Sequence, residues 1–336
     1  MLRVLAIGVG SIGERHVRCM LATGRVQAGI CETNDTLRES ISRRYSIGEA
    51  FPSLDLALDQ PWDAAVVATP APSHVAIAQR LAERGIALLI EKPLATSLQG
   101  VPELLATVEA RRLPAAVGYV LRADLCLVAM RQAVVSGRFG RPVQLAVTAG
   151  QHFPTFRPAY RSIYYTDRAQ GGGAIQDAMT HYLNAGEWLL GPINRIVADA
   201  SHQVLEGVTV EDTVHCLARH GAAMASYAMN QHQAPNELTF TVVCERGTAR
   251  WEYHEQRWRW KVHPDGSPEG GAWHDESKQH EERDEWFTRQ EQAFLDYVQG
   301  KAPPLCSLAE GVQTLKVNLA ALRSAFADGG WQTVGD

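Results

Sequence analysis

The sequence predicts an α/β chain: an N-terminal Rossmann-type, doubly wound parallel sheet, followed by an α+β domain built on a large, mostly antiparallel sheet. Three observations predict it. Short apolar runs alternate with amphipathic helical segments through the first third of the chain, as βαβ units require. The glycine turn Gly8-Val9-Gly10-Ser11-Ile12-Gly13 separates the first strand from the first helix. Beyond about residue 120 the hydrophobic period drops to two, the mark of successive antiparallel strands.

The elements follow in order. Residues 2–8 read as a strand and 11–23 as a helix. Val26 to Cys31 is a second strand, ended by Glu32, and a helix covers 35–45. A short strand lies near 49–51 and a very apolar one at 64–69, with a helix over 73–84. The run 86–90 is a buried parallel strand that delivers Glu91-Lys92-Pro93 to the edge where open α/β sheets bind ligands. A helix over 97–111 and a strand at 115–118 complete a first domain, 1–120. The second, 121–336, opens with a helix over 123–136 that Gly137 and Gly140 stop. A strand at 142–150 leads into a polar, aromatic loop, 151–170. Gly171-Gly172-Gly173 then opens a helix reaching about Leu190. Six strands follow, at 193–202, 209–219, 222–231, 238–244, 248–253 and 257–262. Residues 264–282 read as an exposed loop. Helices over 284–299 and 307–327 end the chain, the last a candidate to pack back on the first domain.

Composition narrows the function classes. Apolar residues make up 46% of the 336 and charged ones 21%, an ordinary globular balance. A formal charge of −5 gives no basic footprint, so neither nucleic acid nor a membrane surface is expected as a partner. Six scattered cysteines without a C-x-x-C pair suit a reducing, cytoplasmic setting. No apolar run reaches the roughly 18 residues of a membrane span. The apolar start is not read as a leader, because the glycine turn and Glu14-Arg15-His16 interrupt it. No metal is expected: His274, Asp275 and His280 lack ligand spacing. Trp251, Trp258 and Trp260 with Arg250, Arg257 and Arg259 read as cross-strand pairs rather than base-stacking platforms.

The glycine turn has the context of a dinucleotide site. Gly8 permits the tight turn, Gly10 lets a pyrophosphate approach, and Gly13 lets helix and strand pack closely. Ser11 and Ile12 begin the helix whose N-terminus faces the phosphates. Glu32, roughly 20 residues past Gly13, is placed to accept ribose hydroxyls and repels a 2′-phosphate, which favours NAD over NADP. Arg38 is the nearest arginine after it. Thr69-Pro70 ends the fourth strand, either as a wall for the nicotinamide ribose or as a plain terminator. His74 reads as a helix-start residue.

The glycine turn, Thr69-Pro70, Glu91-Lys92-Pro93 and Gly171-Gly172-Gly173-x-x-x-Asp177-x-x-x-His181, in that order, resemble the glucose–fructose oxidoreductase / inositol dehydrogenase / rhizopine-catabolism (Gfo/Idh/MocA) family over essentially the whole chain. The resemblance implies an NAD(P)-dependent oxidoreductase acting on CH–OH groups, with Lys92, Asp177 and His181 bordering the nicotinamide. It implies that Glu91 and Lys92 belong to the cofactor site, with Glu91 holding the strand end. It also implies a sugar, sugar acid, nucleotide sugar or cyclitol as substrate, and a homodimer or homotetramer formed through the open face of the second sheet. Three residues depart from the family pattern: Met179 stands where a glycine is common, and Ala123 and Leu125 where an aromatic and a proline are.

The residue types support the chemistry. Asp177 and His181 are i and i+4, so on an α-helix they share a face. Histidine titrates near neutrality and can take a hydroxyl proton; Lys92 can donate to the same oxygen. Tyr119, Arg122, His152, Arg157, Tyr160, Arg161 and Tyr164 are candidate substrate contacts, since rings and guanidinium forks suit a sugar carrying a carboxylate or phosphate. Two alternatives stand beside the dehydrogenase: a redox-neutral sugar-modifying enzyme with retained NAD, and a non-catalytic NAD- or sugar-sensing regulator.

Overall fold

The computed structural model describes residues 1–263, 271–277 and 281–335. They form two compact units: Met1–Ala123 with Glu282–Val312, and Asp124–Glu281 with Gln313–Asp336.

The first unit begins β1 (Leu2–Ile7), α1 (Ser11–Ala22), β2 (Val26–Cys31), α2 (Asp35–Tyr45), β3 (Ala50–Phe51), α3 (Leu54–Ala57), β4 (Ala64–Val67), α4 (His74–Ala82), β5 (Ala87–Ile90), α5 (Val101–Arg111) and β6 (Ala115–Val117). Its strands lie in the order β3-β2-β1-β4-β5-β6, all parallel. This is the doubly wound order, with the switch point between β1 and β4. β4 and β5 are buried along their whole length, which is why they read as unbroken apolar runs. The helix expected over 97–111 starts only at Val101. Gly100, at φ 75°, sets its entry, and Pro102 lies in its first turn, where no N–H is needed.

The second unit holds α6 (Leu125–Val135), β7 (Pro142–Gly150), α7 (Phe153–Phe156), α8 (Thr180–Leu190), β8 (Arg195–Ser201), β9 (Thr213–His220), β10 (Ala223–Asn230), β11 (Glu237–Cys244), β12 (Gly247–Glu252), β13 (Arg257–Val262) and β14 (His274–Ser277). With β15 (Gln332–Thr333), its strands are ordered β14-β13-β12-β11-β7-β10-β9-β8-β15, antiparallel except for the β7–β10 pair. Within the segment expected as loop, 264–282, His274 to Ser277 instead pair with β13; 264–270 and 278–280 lie outside the described residues. Trp251 and Trp258 are buried register partners on β12 and β13, which fits the cross-strand reading and leaves neither ring available for base stacking.

α9 (Arg283–Val298) returns to the first unit. Its Phe294 and Leu295 belong to the same apolar core as Val4, Ala6, Val17, Ile30 and Val66. α10 (Leu308–Arg323) follows. No helix among the described residues is long and apolar enough to cross a membrane.

Candidate active site

In the first unit the glycine turn is built as a cradle. Gly8 takes φ 79°. A Cβ on Gly13 would run into the Gly8 carbonyl, so close helix–strand contact requires glycine there. Gly10 differs: a Cβ would meet no protein atom within 4 Å. Packing does not demand glycine at this position, and the open flank at the N-terminus of α1 is where a pyrophosphate would lie. Glu32 is anchored beside it. Its Oε2 accepts the Val9 N–H (3.0 Å) and its Oε1 the Asn34 N–H (2.9 Å). Arg38 turns away from that carboxylate, donating to the Glu32 carbonyl and pairing with Asp35 at 2.6 Å. These residues fit NAD.

The carboxyl ends of β4 and β5 are tied together by His74. Its Nδ1 lies 3.1 Å from the Pro93 carbonyl and its Nε2 2.7 Å from the Thr69 carbonyl. Burial lowers its pKa, and a neutral ring packed between the two strand ends donates to only one of these carbonyls. Thr69 Oγ1 pairs with Ser73 Oγ, closing the turn through Pro70. The Lys92–Pro93 peptide is cis. Glu91 Oε2 accepts the Lys92 N–H at 3.0 Å. Tyr119 and Arg122 are both buried; the Arg122 guanidinium bonds Glu310 at 2.6 Å and the Leu305 carbonyl at 2.9 Å.

In the second unit the helix that carries Asp177 is not α-helical at its start. Ile175–Met179 form one π-turn before α8 takes over at Thr180, so the α-helical face argument for Asp177 and His181 does not hold as made. Such turns widen a helix locally and recur at functional sites. A buried carboxylate packs beside the triple glycine that precedes this turn. Gly173 has φ 83°, and a side chain there would overlap the Glu211 carboxylate. That buried carboxylate accepts the Ile175 N–H and pairs with Arg168 at 2.7 Å.

Asp177 is buried and gathered by the 151–170 segment. The Tyr164 hydroxyl donates to its Oδ1 at 2.6 Å, and Arg157 Nη1 lies 3.5 Å from its Oδ2. The Asp177 charge raises the Arg157 pKa, while burial and then Asp177 push the Tyr164 phenol up. The remaining candidates divide. Tyr160 is buried with Phe153 and Tyr165 in a small core of its own, its hydroxyl on the Glu206 carbonyl. Arg161 pairs with Glu206 at 3.5 Å, and His152 bonds Thr155 at 2.8 Å. Sequence reasoning missed His16, Glu211 and Glu291. The signal for the last was a carboxylate on the apolar stripe of α9 between Phe287 and Phe294. Among the described residues, no group of three or more His, Cys, Asp or Glu is arranged to hold a metal ion.

Residues 2–119 match the model for the oxidoreductase family NAD-binding Rossmann fold, and 127–250 match the Gfo/Idh/MocA C-terminal domain. Inositol 2-dehydrogenase of Streptomyces avermitilis is 26% identical over 57% of this chain and 54% of its own length. UDP-N-acetylglucosamine 3-dehydrogenase of Acidithiobacillus ferrooxidans is 28% identical over 56% and 55%. The chain thus spans about half the length of the curated relatives it matches. Levoglucosan dehydrogenase in complex with NADH superposes with a TM-score of 0.90 at 20% identity, covering 100% of this chain and 99% of that one, a likeness of fold. The two family models together cover most of the sequence, and the chain belongs to the Gfo/Idh/MocA oxidoreductase family.

Proposed function

We propose that this protein is an NAD-dependent dehydrogenase acting on a secondary hydroxyl of a small polyhydroxylated ring. The observation that carries this is the cradle of the first unit: an open flank at Gly10, an anchored ribose acceptor in Glu32, and Lys92 at a neighbouring strand end of the same sheet. NAD, when bound, supplies the hydride acceptor. His181 takes the hydroxyl proton as the carbon gives up its hydride with two electrons, and the alcohol becomes a ketone. Lys92 donates to the oxygen as negative charge develops on it. Asp177, held as an acceptor by Tyr164, orients the substrate hydroxyls or His181.

The charge of the 151–170 segment supports an uncharged substrate. Each of its arginines has an acidic partner: Arg157 with Asp177, Arg161 with Glu206 and Arg168 with Glu211. A cyclitol or neutral sugar needs no further cation, whereas a sugar acid or nucleotide sugar would compete with those pairs. Half-exposed Leu217 and Met224 on adjacent strands of the second sheet support self-association through that face. The test is NADH formation with inositols, neutral sugars, sugar acids and nucleotide sugars. Turnover is expected with neutral rings and NAD; turnover confined to the anionic members would sink the charge argument.

A further inference from the structure

The glycine turn and the strand end that carries Lys92 are joined through a buried charge cluster that the chemistry above does not use. His16 lies on α1, three residues past Gly13, and its side chain is fully buried. Its Nε2 is 2.8 Å from Glu91 Oε1 and its Nδ1 is 2.5 Å from Glu291 Oε1. Both ring nitrogens face carboxylate oxygens, and only an imidazolium donates from both. Burial alone would depress the imidazole pKa, but the charge and hydrogen bond of Glu291, then those of Glu91, outweigh it and raise it to about 10. Glu91 follows the same logic in reverse. Burial pushes its carboxyl up, and His16 and then Lys92 bring it below the ordinary range. Glu291 ends above its ordinary value, since burial and repulsion from Glu91 exceed what His16 returns.

The other end of Glu91 fixes the catalytic strand. Its Oε2 accepts the Lys92 N–H, and its own N–H bonds the Val67 carbonyl at 2.9 Å. Gly118 completes the seat: a Cβ there would come within 2.7 Å of Glu91 Oε1. An apolar core of equal volume often stabilises a fold as well as a buried triad of charges does, so stability alone is a weak reason for this one. Directional hydrogen bonds do explain it, because they set where the chain leaves β5.

We propose that His16 and Glu291 are positioning residues for Lys92, acting through Glu91. The proposal rests on the reading of Lys92 as the donor to the substrate oxygen. Displacing a reacting group by about 1 Å costs on the order of 100-fold in rate.

A double-mutant cycle tests it, using the full chain, NAD and the best neutral substrate of the panel. His16→Gln is expected to lower kcat roughly 10- to 100-fold, with the Kd for NADH, read by fluorescence, changed less than about threefold. In a Lys92→Arg background the same change should have little further effect, because the group it positions has already been displaced. Glu291→Gln, which keeps an acceptor oxygen, should retain more activity than Glu291→Leu. Wild-type turnover in a cooperatively folded His16→Gln variant, or losses that multiply in full with Lys92→Arg, would overturn the proposal. Should His16→Gln fail to fold, the cycle is read with Glu291→Gln under the same criteria. Undiminished turnover in Lys92→Ala is a distinct result: it removes the role of Lys92, and the positioning role with it.

Discussion

Each unit buries a cluster of charge, and the two are built on opposite plans. In the first, a cation, His16, sits between two carboxylates, and every member is at most a few per cent exposed. In the second, an anion, Asp177, sits between a guanidinium and a phenol, and those two donors remain about a third exposed. The first cluster is closed: its hydrogen bonds end on backbone and on one another. The second is open at its donor side, on a segment with a small core of its own. A closed cluster fixes geometry, whereas an open one can exchange a partner when a ligand arrives. Glu91 is thus enclosed by its partners, whereas the partners of Asp177 face solvent.

The strongest way to break this division is to remove the two groups proposed to handle the substrate hydroxyl. His181→Ala and Lys92→Ala should each lower turnover by roughly 10²- to 10⁴-fold while NADH binding persists, measured by steady-state kinetics beside fluorescence titration. The glycine turn offers a sharper contrast. Gly13→Ala should lose several degrees of melting temperature as well as NAD binding, because its Cβ has no room. Gly10→Ala should melt like the wild type and still bind NAD weakly, because its Cβ fills only ligand space. Equal melting temperatures for the two variants would refute the cradle. Tyr164→Phe removes one hydrogen bond to a buried carboxylate, worth about 1.5–3 kcal/mol, so the melting temperature should fall by roughly several degrees in thermal denaturation, with a lower kcat beside it.

The smallest expected effect is the pH dependence of the closed cluster. The folded pKa of His16 lies above its unfolded value of about 6.5. Its stabilisation is therefore complete below that value and is lost as pH rises through about 10. Glu91 and Glu291 face it directly, with Lys92 beyond Glu91. The difference in melting temperature between wild type and His16→Gln should narrow by roughly a few degrees between pH 7 and 10. A constant difference across that range would mean that His16 is neutral in the folded protein.

Much of this was legible in the sequence because it depends on period and on glycine. The parallel sheet follows from βαβ alternation, and the turn that opens α1 from the spacing of Gly8, Gly10 and Gly13. The π-turn at Ile175–Met179 was not legible. Glu211, far along the chain, sits beside Gly173 and accepts the Ile175 N–H where that turn begins. Nor was the partner of His16 legible, since Glu291 is 275 positions away. The arginines of the 151–170 segment could be read as free forks, because ion pairing to Glu206 and Glu211 is a tertiary fact. Local chemistry reads well from sequence; the electrostatic surroundings of a group do not.

The return of residues 282–312 to the first unit has a practical consequence for modular engineering. The nucleotide-binding module is not a contiguous cassette. A fragment ending at Ala123 would leave His16 without Glu291 and the core without Phe294 and Leu295. A chimera that exchanges cofactor preference with a relative must therefore transplant two segments together, and recombination points placed at residue 123 alone should yield insoluble protein.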